Sequence, residues 1–185
     1  MILPIYVYGQ PILRKVAIDI EQDNYPNLQE LINNMFETMY HADGVGLAAP
    51  QVGLNDRIFV VDLSVMGDEV PEMKGFKKTF INPHIIERTG DLKEVEEGCL
   101  SIPGIHEKVP REERIRIQYI DENLESQDEE YVGFTARCIQ HEYDHLDGVM
   151  FVDKISPLRK QLVKSKLTAM TKGKVSCSYK VKTLK

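Results

Sequence analysis

The sequence predicts an α+β fold, and three observations carry that expectation. One long amphipathic helix comes early, several β-rich segments follow without helices between them, and two further helices come last. At 185 residues, 42% of them hydrophobic, the chain is long enough for one domain with a proper core.

The first helix lies in "YPNLQELINNMFETMYHADGVG", where Leu28, Leu31, Ile32, Met35, Phe36, Met39 and Tyr40 recur at steps of three and four. Pro26 suits its first turn and Gly44 helps to stop it. "RIFVVDLS", "TFINPHII" and "RIRIQYID" read as strands, rich in β-branched and aromatic residues and bounded by turn formers. The intervening "VMGDEVPEMKGFKK" reads as a loop or hairpin insertion. A second helix is expected over residues 135–146. A third is announced by "SPLRKQL", with Ser156 as N-cap and Pro157 at the first helical position. No Pro/Gly/Ser-rich linker divides the chain, so a single catalytic-size domain is expected over residues 1–170, with a basic tail at 171–185.

Composition excludes several classes. No apolar run approaches the 18 residues a transmembrane helix needs. The first residues, MILPIYVYGQP, lack the basic start and small-residue cleavage site of a signal peptide. Cys99, Cys138 and Cys177 are too few and too scattered for a disulfide framework, so a cytoplasmic protein without a membrane partner is expected. The net charge of −6 argues against DNA or RNA binding through the whole surface. Residues 159–185 nevertheless carry nine Lys/Arg and no acid, which leaves −15 on residues 1–158. Such a tail either solvates a helix and its end or meets an anionic partner.

The chemistry is concentrated in "CIQHEYDHLDG", residues 138–148. At about 100° per residue, His141 and His145 lie roughly 40° apart around a helix and about 6 Å apart along it. Both imidazoles can therefore reach one ion. Glu142, next to the first of them, can take a proton from water activated by that ion without binding the ion itself. The plainer reading is a solvated helix face that happens to carry two histidines.

Two imidazoles rarely suffice, so a third ligand is sought. Cys138 lies on nearly the same face, but an ion between the histidines would sit about 7 Å further along the axis. Cys138 is better read as a small packed hydrophobe. Cys177 falls in the polar tail. His41, His84, His106 and many carboxylates remain open. Cys99 is the best candidate, because "EEGCLSIPG" sets it after a glycine and before a short apolar run closed by Pro103-Gly104, on a turn or strand edge with backbone N–H groups nearby. A thiolate with two imidazoles leaves one tetrahedral position for water. The alternative is an inert, buried thiol.

The stretch "ADGVGLAAPQVGL" has glycines at 44, 46 and 53 but neither a phosphate-loop ending nor the G-x-G-x-x-G spacing. Small residues there let backbone approach a ligand closely, and the amide of Gln51 could donate to a developing oxyanion. A tight turn before a strand is the simpler reading.

"GVGLAAPQVG", "EGCLSIPG" and "QHEYDHLDG", in that order, resemble the three signature motifs of the peptide deformylases. The resemblance implies a metallohydrolase that removes the formyl group from the initiator methionine of nascent chains. It implies antiparallel sheets wrapped around the helix that carries the histidines. It makes Cys99, His141 and His145 the metal ligands and Glu142 the general acid/base. Gln51 and the backbone N–H of Leu100 become oxyanion donors, and Gly46 with Val45 bind the substrate backbone. The ion implied is Fe²⁺, with Zn²⁺ or Ni²⁺ as replacements on purification. Val45 and Phe134 are expected to line the methionine pocket, Phe134 because it lies two turns before His141. His106 stands where relatives carry a basic residue, and the basic C-terminal helix suggests contact with ribosomal RNA. A peptidase of the H-E-x-x-H type would use the same helix with a downstream third ligand. A structural zinc domain would need a fourth protein ligand.

Overall fold

The computed structural model describes residues 1–184. Its main body is a five-stranded antiparallel sheet in the order β2-β3-β4-β5-β6, with β2 at Gly46–Ala48, β3 at Ile58–Asp62, β4 at Lys77–Cys99, β5 at Ile102–Ile120 and β6 at Ser126–Val132. Helix α1, Leu28–His41, and helix α2, Gly133–Leu146, are joined by α3, Pro157–Thr171.

Alternation along β3 places the two layers. Its five residues are all buried. Ile58 and Val60 belong to a core with Ile32, Met35, Phe36 and Met39 of α1. Phe59 and Val61 point the other way, into a core with Ala136, Ile139, Tyr143 and Leu146 of α2. A strand whose successive side chains face opposite sides thus carries one helix on each face. Its run "IFVV" is apolar without alternation for that reason, and Asp62 ends it. The rings of Phe59 and Phe80 stack at 4.5 Å, and Phe80 meets Tyr119 at 4.3 Å. α3 closes a third core, with Val163, Leu167 and Met170 against Ile102, Ile105, Val109 and Phe151. Ser156 caps it as expected, its Oγ accepting from the Arg159 N–H at 3.3 Å.

The strands at "TFINPHII" and "RIRIQYID" are parts of something longer. β4 and β5 form one extended hairpin whose register shifts between Ile81 and His84, Ile85 and Glu87, Thr89 and Leu92, and Glu97 and Cys99. Each bulge bends the ribbon, so a strand of this length curls around α2. At the tip, Cys99 pairs with Ile102, and Leu100-Ser101 makes the turn. β6 is an edge strand that polar "SQDEEYV" hides from sequence reading. Arg116 holds it bidentately through Asp128, and the Tyr119 hydroxyl donates to Glu129.

The segment "VMGDEVPEMKGFKK" forms two short 3₁₀ turns, Ser64–Met66 and Pro71–Met73, which bury Met73 against the α2 core. The tail is more ordered than its composition suggests. After α3, the chain returns and Val181–Lys182, β7, pairs in parallel with Ile5–Tyr6, β1. Among the described residues no helix is long and apolar enough to cross a membrane.

Candidate active site

The histidine helix runs through the middle of the molecule, with residues 136–140 and 142–146 buried. His141 and His145 project from one face with ring centroids 5.3 Å apart. The hairpin tip arrives beside them. Cys99 Sγ stands 3.3 Å from His145 Nε2, and ligand atoms of Cys99, His141 and His145 all lie within 4.8 Å of one another. Ligands about 2.0–2.3 Å from one four-coordinate ion are roughly 3.3–3.7 Å apart, so the trio fits a single divalent cation after small adjustment. Among the described residues, these three are the only such cluster. The third candidate ligand is therefore upstream, as a deformylase needs and an H-E-x-x-H peptidase does not. Among the described residues no fourth protein ligand joins the set, as a structural zinc site would require.

His141 is oriented by a feature that sequence reading missed. Its Nδ1 lies 2.8 Å from Glu97 Oε1, which would leave Nε2 as the atom to hold an ion. Glu97 is buried and also takes two bonds from Arg111, at 2.6 and 2.9 Å, and one from Arg137 at 2.6 Å. Arg111 reaches on to Asp144 at 2.8 Å. Burial alone would raise the Glu97 carboxyl, but the bonds from His141 and Arg111 outweigh it and hold it down at about 2. The two histidines are driven apart. Burial and the neighbouring His141 push His145 well down; His141 is raised, against its burial, by Cys99 and Glu97.

Glu142 is buried against the N-terminal end of β2. A Cβ built on Gly46 would stand 2.7 Å from Glu142 Cδ, so the missing side chain is what admits the carboxyl group. Burial pushes Glu142 up to about 7. Among the described residues, three buried side-chain polar atoms lack a hydrogen-bond partner; Glu142 Oε2 and His145 Nδ1 are two of them. A buried carboxyl oxygen with no structural partner, beside a ligand cluster, is what proton transfer to a bound reactant requires. Cys138 packs as the helix rise implied. It is buried in the α2 core, and burial raises its thiol well above the usual range.

Gln51 is fixed at both ends of its amide. Oε1 accepts from the Ala48 N–H at 2.9 Å; Nε2 donates to Ser101 Oγ at 3.2 Å and approaches Cys99 Sγ at 3.5 Å. Its NH₂ therefore faces the same point as the turn at Leu100. A cleft of about 490 Å³ opens over this point. Val45, Gly46, Gln51, Cys99, Leu100, Phe134, His141 and Glu142 all line it, and His145 lies beneath, 1% exposed. His106 also borders the cleft, packed over Gly98. The insertion at residues 64–79 does not reach it.

A cysteine and two imidazoles set beside a buried acid in a cleft give the fold the means of a metal-dependent hydrolase. The comparisons narrow that class. The family model for polypeptide deformylase matches residues 2–161. The peptide deformylase of Christiangramia forsetii is 52% identical across 98% of this chain and 96% of its own length, and that of Salinibacter ruber is 51% identical across 99% and 95%. The structure of a Synechococcus elongatus peptide deformylase in complex with actinonin superposes with a TM-score of 0.80 at 40% identity, over 90% of this chain and 86% of that one. A Thermus thermophilus peptide deformylase gives 0.79 at 41% identity, over 90% and 94%. The chain belongs to the polypeptide deformylase family.

Proposed function

We propose that this chain removes the N-formyl group from the initiator methionine of nascent polypeptides, with Cys99, His141 and His145 as ligands of one Fe²⁺ ion. The convergence of those three side chains from a hairpin tip and one helix face carries the reading. A divalent cation there supplies Lewis acidity, activating water and polarising the formyl carbonyl. Glu142 takes a proton from the attacking water and delivers it to the nitrogen of the leaving amine, so formamide and water become formate and a free amino terminus. Gln51 Nε2 and the Leu100 N–H donate to the carbonyl oxygen as it gains charge. Gly46 and Val45 bind the substrate backbone, and Val45 with Phe134 receives the methionine side chain. Cys99 borders an open cleft, so its thiolate is exposed to oxidation, and iron-loaded protein is best prepared without oxygen. Zn²⁺ or Ni²⁺ would occupy the same ligands on aerobic purification.

Formate release from a formyl-methionyl tripeptide by anaerobically prepared, iron-loaded protein tests the reading directly. Rapid release is expected; folded, iron-loaded protein that releases none would overturn it. Gln51→Ala is expected to lower kcat about a hundredfold, the cost of about 3 kcal/mol for one oxyanion donor, with KM little changed. Melting temperature is read alongside, because Gln51 also binds Ala48 and Ser101.

We place this activity in the cytoplasm, on chains leaving the ribosome, and assign α3 the contact with ribosomal RNA. Arg159 of that helix is tied to Glu107 at 2.7 Å, whereas Lys160, Lys164 and Lys166 are exposed. Residues 1–170 and the basic segment 171–185 are taken as one working unit. Because Val163, Leu167 and Met170 are core, charge reversal is a cleaner probe than deletion. Lys160→Glu with Lys164→Glu should weaken cosedimentation with ribosomes and flatten its salt dependence by about two phosphate contacts. Unchanged cosedimentation would remove the ribosome from the proposal.

A further inference from the structure

The last stretch of chain crosses the mouth of the cleft. Residues 174–177 run without regular structure, Ser178 and Tyr179 form a bend, and Val175, Cys177 and Tyr179 are half-buried between exposed neighbours. The segment is anchored at both ends. Val175 packs against the α3 core, and Tyr179 against the α1 core, so the chain passes from one to the other. Beyond Tyr179 it is clamped to β1, with the Ile5 N–H donating to Lys180 O at 2.9 Å and the Val7 N–H to Lys182 O at 3.1 Å. The Gln10 amide adds a bond to Thr183 O at 2.5 Å.

Between the anchors, Ser176, Cys177, Ser178 and Tyr179 line the same cleft as Cys99, Gln51 and Glu142. The Tyr179 hydroxyl donates to Leu100 O at 2.7 Å, tying the strap to the turn whose N–H faces the reacting carbonyl. The backbone N–H groups of Cys177 and Ser178 make no hydrogen bond to the protein among the described residues. Free backbone donors along a peptide-binding cleft are suited to bond the carbonyls of an extended peptide.

We propose that residues 176–179 form a wall of the substrate site that contacts the peptide beyond its formyl-methionine. The inference rests on the deformylase reading. Ser176, Cys177 and Ser178 give the wall two small hydroxyls and a thiol, and the Tyr179 hydroxyl is already bonded to Leu100 O, so this uncharged wall meets the varied residues of nascent chains without selecting on side-chain charge. Charge on the rim comes from elsewhere, from exposed Asp43 and Glu96.

Charging the wall is the test. Ser178→Lys, Ser178→Glu and the uncharged control Ser178→Ala are compared on formyl-methionyl peptides carrying Lys or Glu at the second, third or fourth residue. Each kcat/KM is taken against formyl-methionine amide, which has no residue to reach the strap, so any general loss of activity cancels. At the position opposite the strap, the Lys/Glu ratio should rise about three- to fivefold in Ser178→Glu and fall by as much in Ser178→Lys, the effect of one exposed charge pair. Ser178→Ala should leave the ratio where the wild type has it. Ratios unmoved at every position overturn the wall while leaving the deformylase reading intact. A wild-type protein inactive on all the peptides, and on the amide, overturns both.

Discussion

Replacing Glu142 with alanine is expected to lower kcat for formate release about a thousandfold while the protein keeps its metal. A positioned acid/base contributes 10²–10⁴-fold, and the proposed mechanism gives Glu142 both directions of proton transfer, so about the middle of that range would be its share. The ligand set explains why the metal stays. Cys99, His141 and His145 reach one point without Glu142, and the network that orients His141 runs through Glu97 on the other side of the ring. Stability should hold or rise, because the native carboxyl is buried and its Oε2 lacks a partner. Removing such a group relieves a desolvation cost of about 1–3 kcal/mol and leaves a cavity that opens on the cleft. The measurement pairs single-turnover formate release with metal content and denaturant unfolding. Loss of metal in step with activity would make Glu142 part of the binding set. An unchanged rate would mean that the proton travels by another group.

Much of this site could be read from spacing because helices impose it. His141 and His145 are four residues apart, and the α-helix leaves no other arrangement than a shared face; the same rise set Cys138 out of reach and into the core. The stripe of α1 was legible for the same reason: Leu28, Ile32, Met35, Phe36 and Met39 are buried as the 3.6-residue period selected, whereas Leu31 is half-buried, Tyr40 lies exposed at the edge of the stripe, and Thr38 is buried outside it. The arrival of Cys99 depended on the fold. Nothing local announces a hairpin of this length, since its bulges break the alternation that marks a strand, and its middle is exposed and charged. Glu97 was hidden differently. In "EVEEGC" the acids at 94, 96 and 97 look alike, and only burial against Arg111 and Arg137 distinguishes Glu97 from its exposed neighbours. The strap was missed because a run of lysines and serines reads as solvated, while its anchors, Tyr179 and Val175, bind elements far away in sequence.

Glu97→Gln should cost more stability than either Gln51→Ala or Glu142→Ala, and it separates two functions of one carboxylate. Glu97 is the shared anion of two buried guanidinium groups and the partner of His141 Nδ1. Arg137 has other acceptors in Val109 O and Lys93 O, and Arg111 keeps Asp144, but neither regains the lost charge. Breaking one side of a buried ion pair costs about 3–5 kcal/mol, because the remaining charge stays desolvated. For a chain of this length that is about 6–20 °C in Tm. Glutamine also offers His141 a weaker, uncharged acceptor, and loss of such a partner lowers metal affinity about 10–100-fold. Unfolding of the metal-free protein reads the first effect alone; competition for the ion with a chelator of known affinity reads the second. If metal-free stability falls while affinity does not, the orientation of His141 is set by the ring of Phe151 stacked at 6.1 Å, and Glu97 serves the fold. If both fall, the carboxylate that neutralises the arginines also aims the ligand, so the core of this protein and its metal chemistry stand on the same residue.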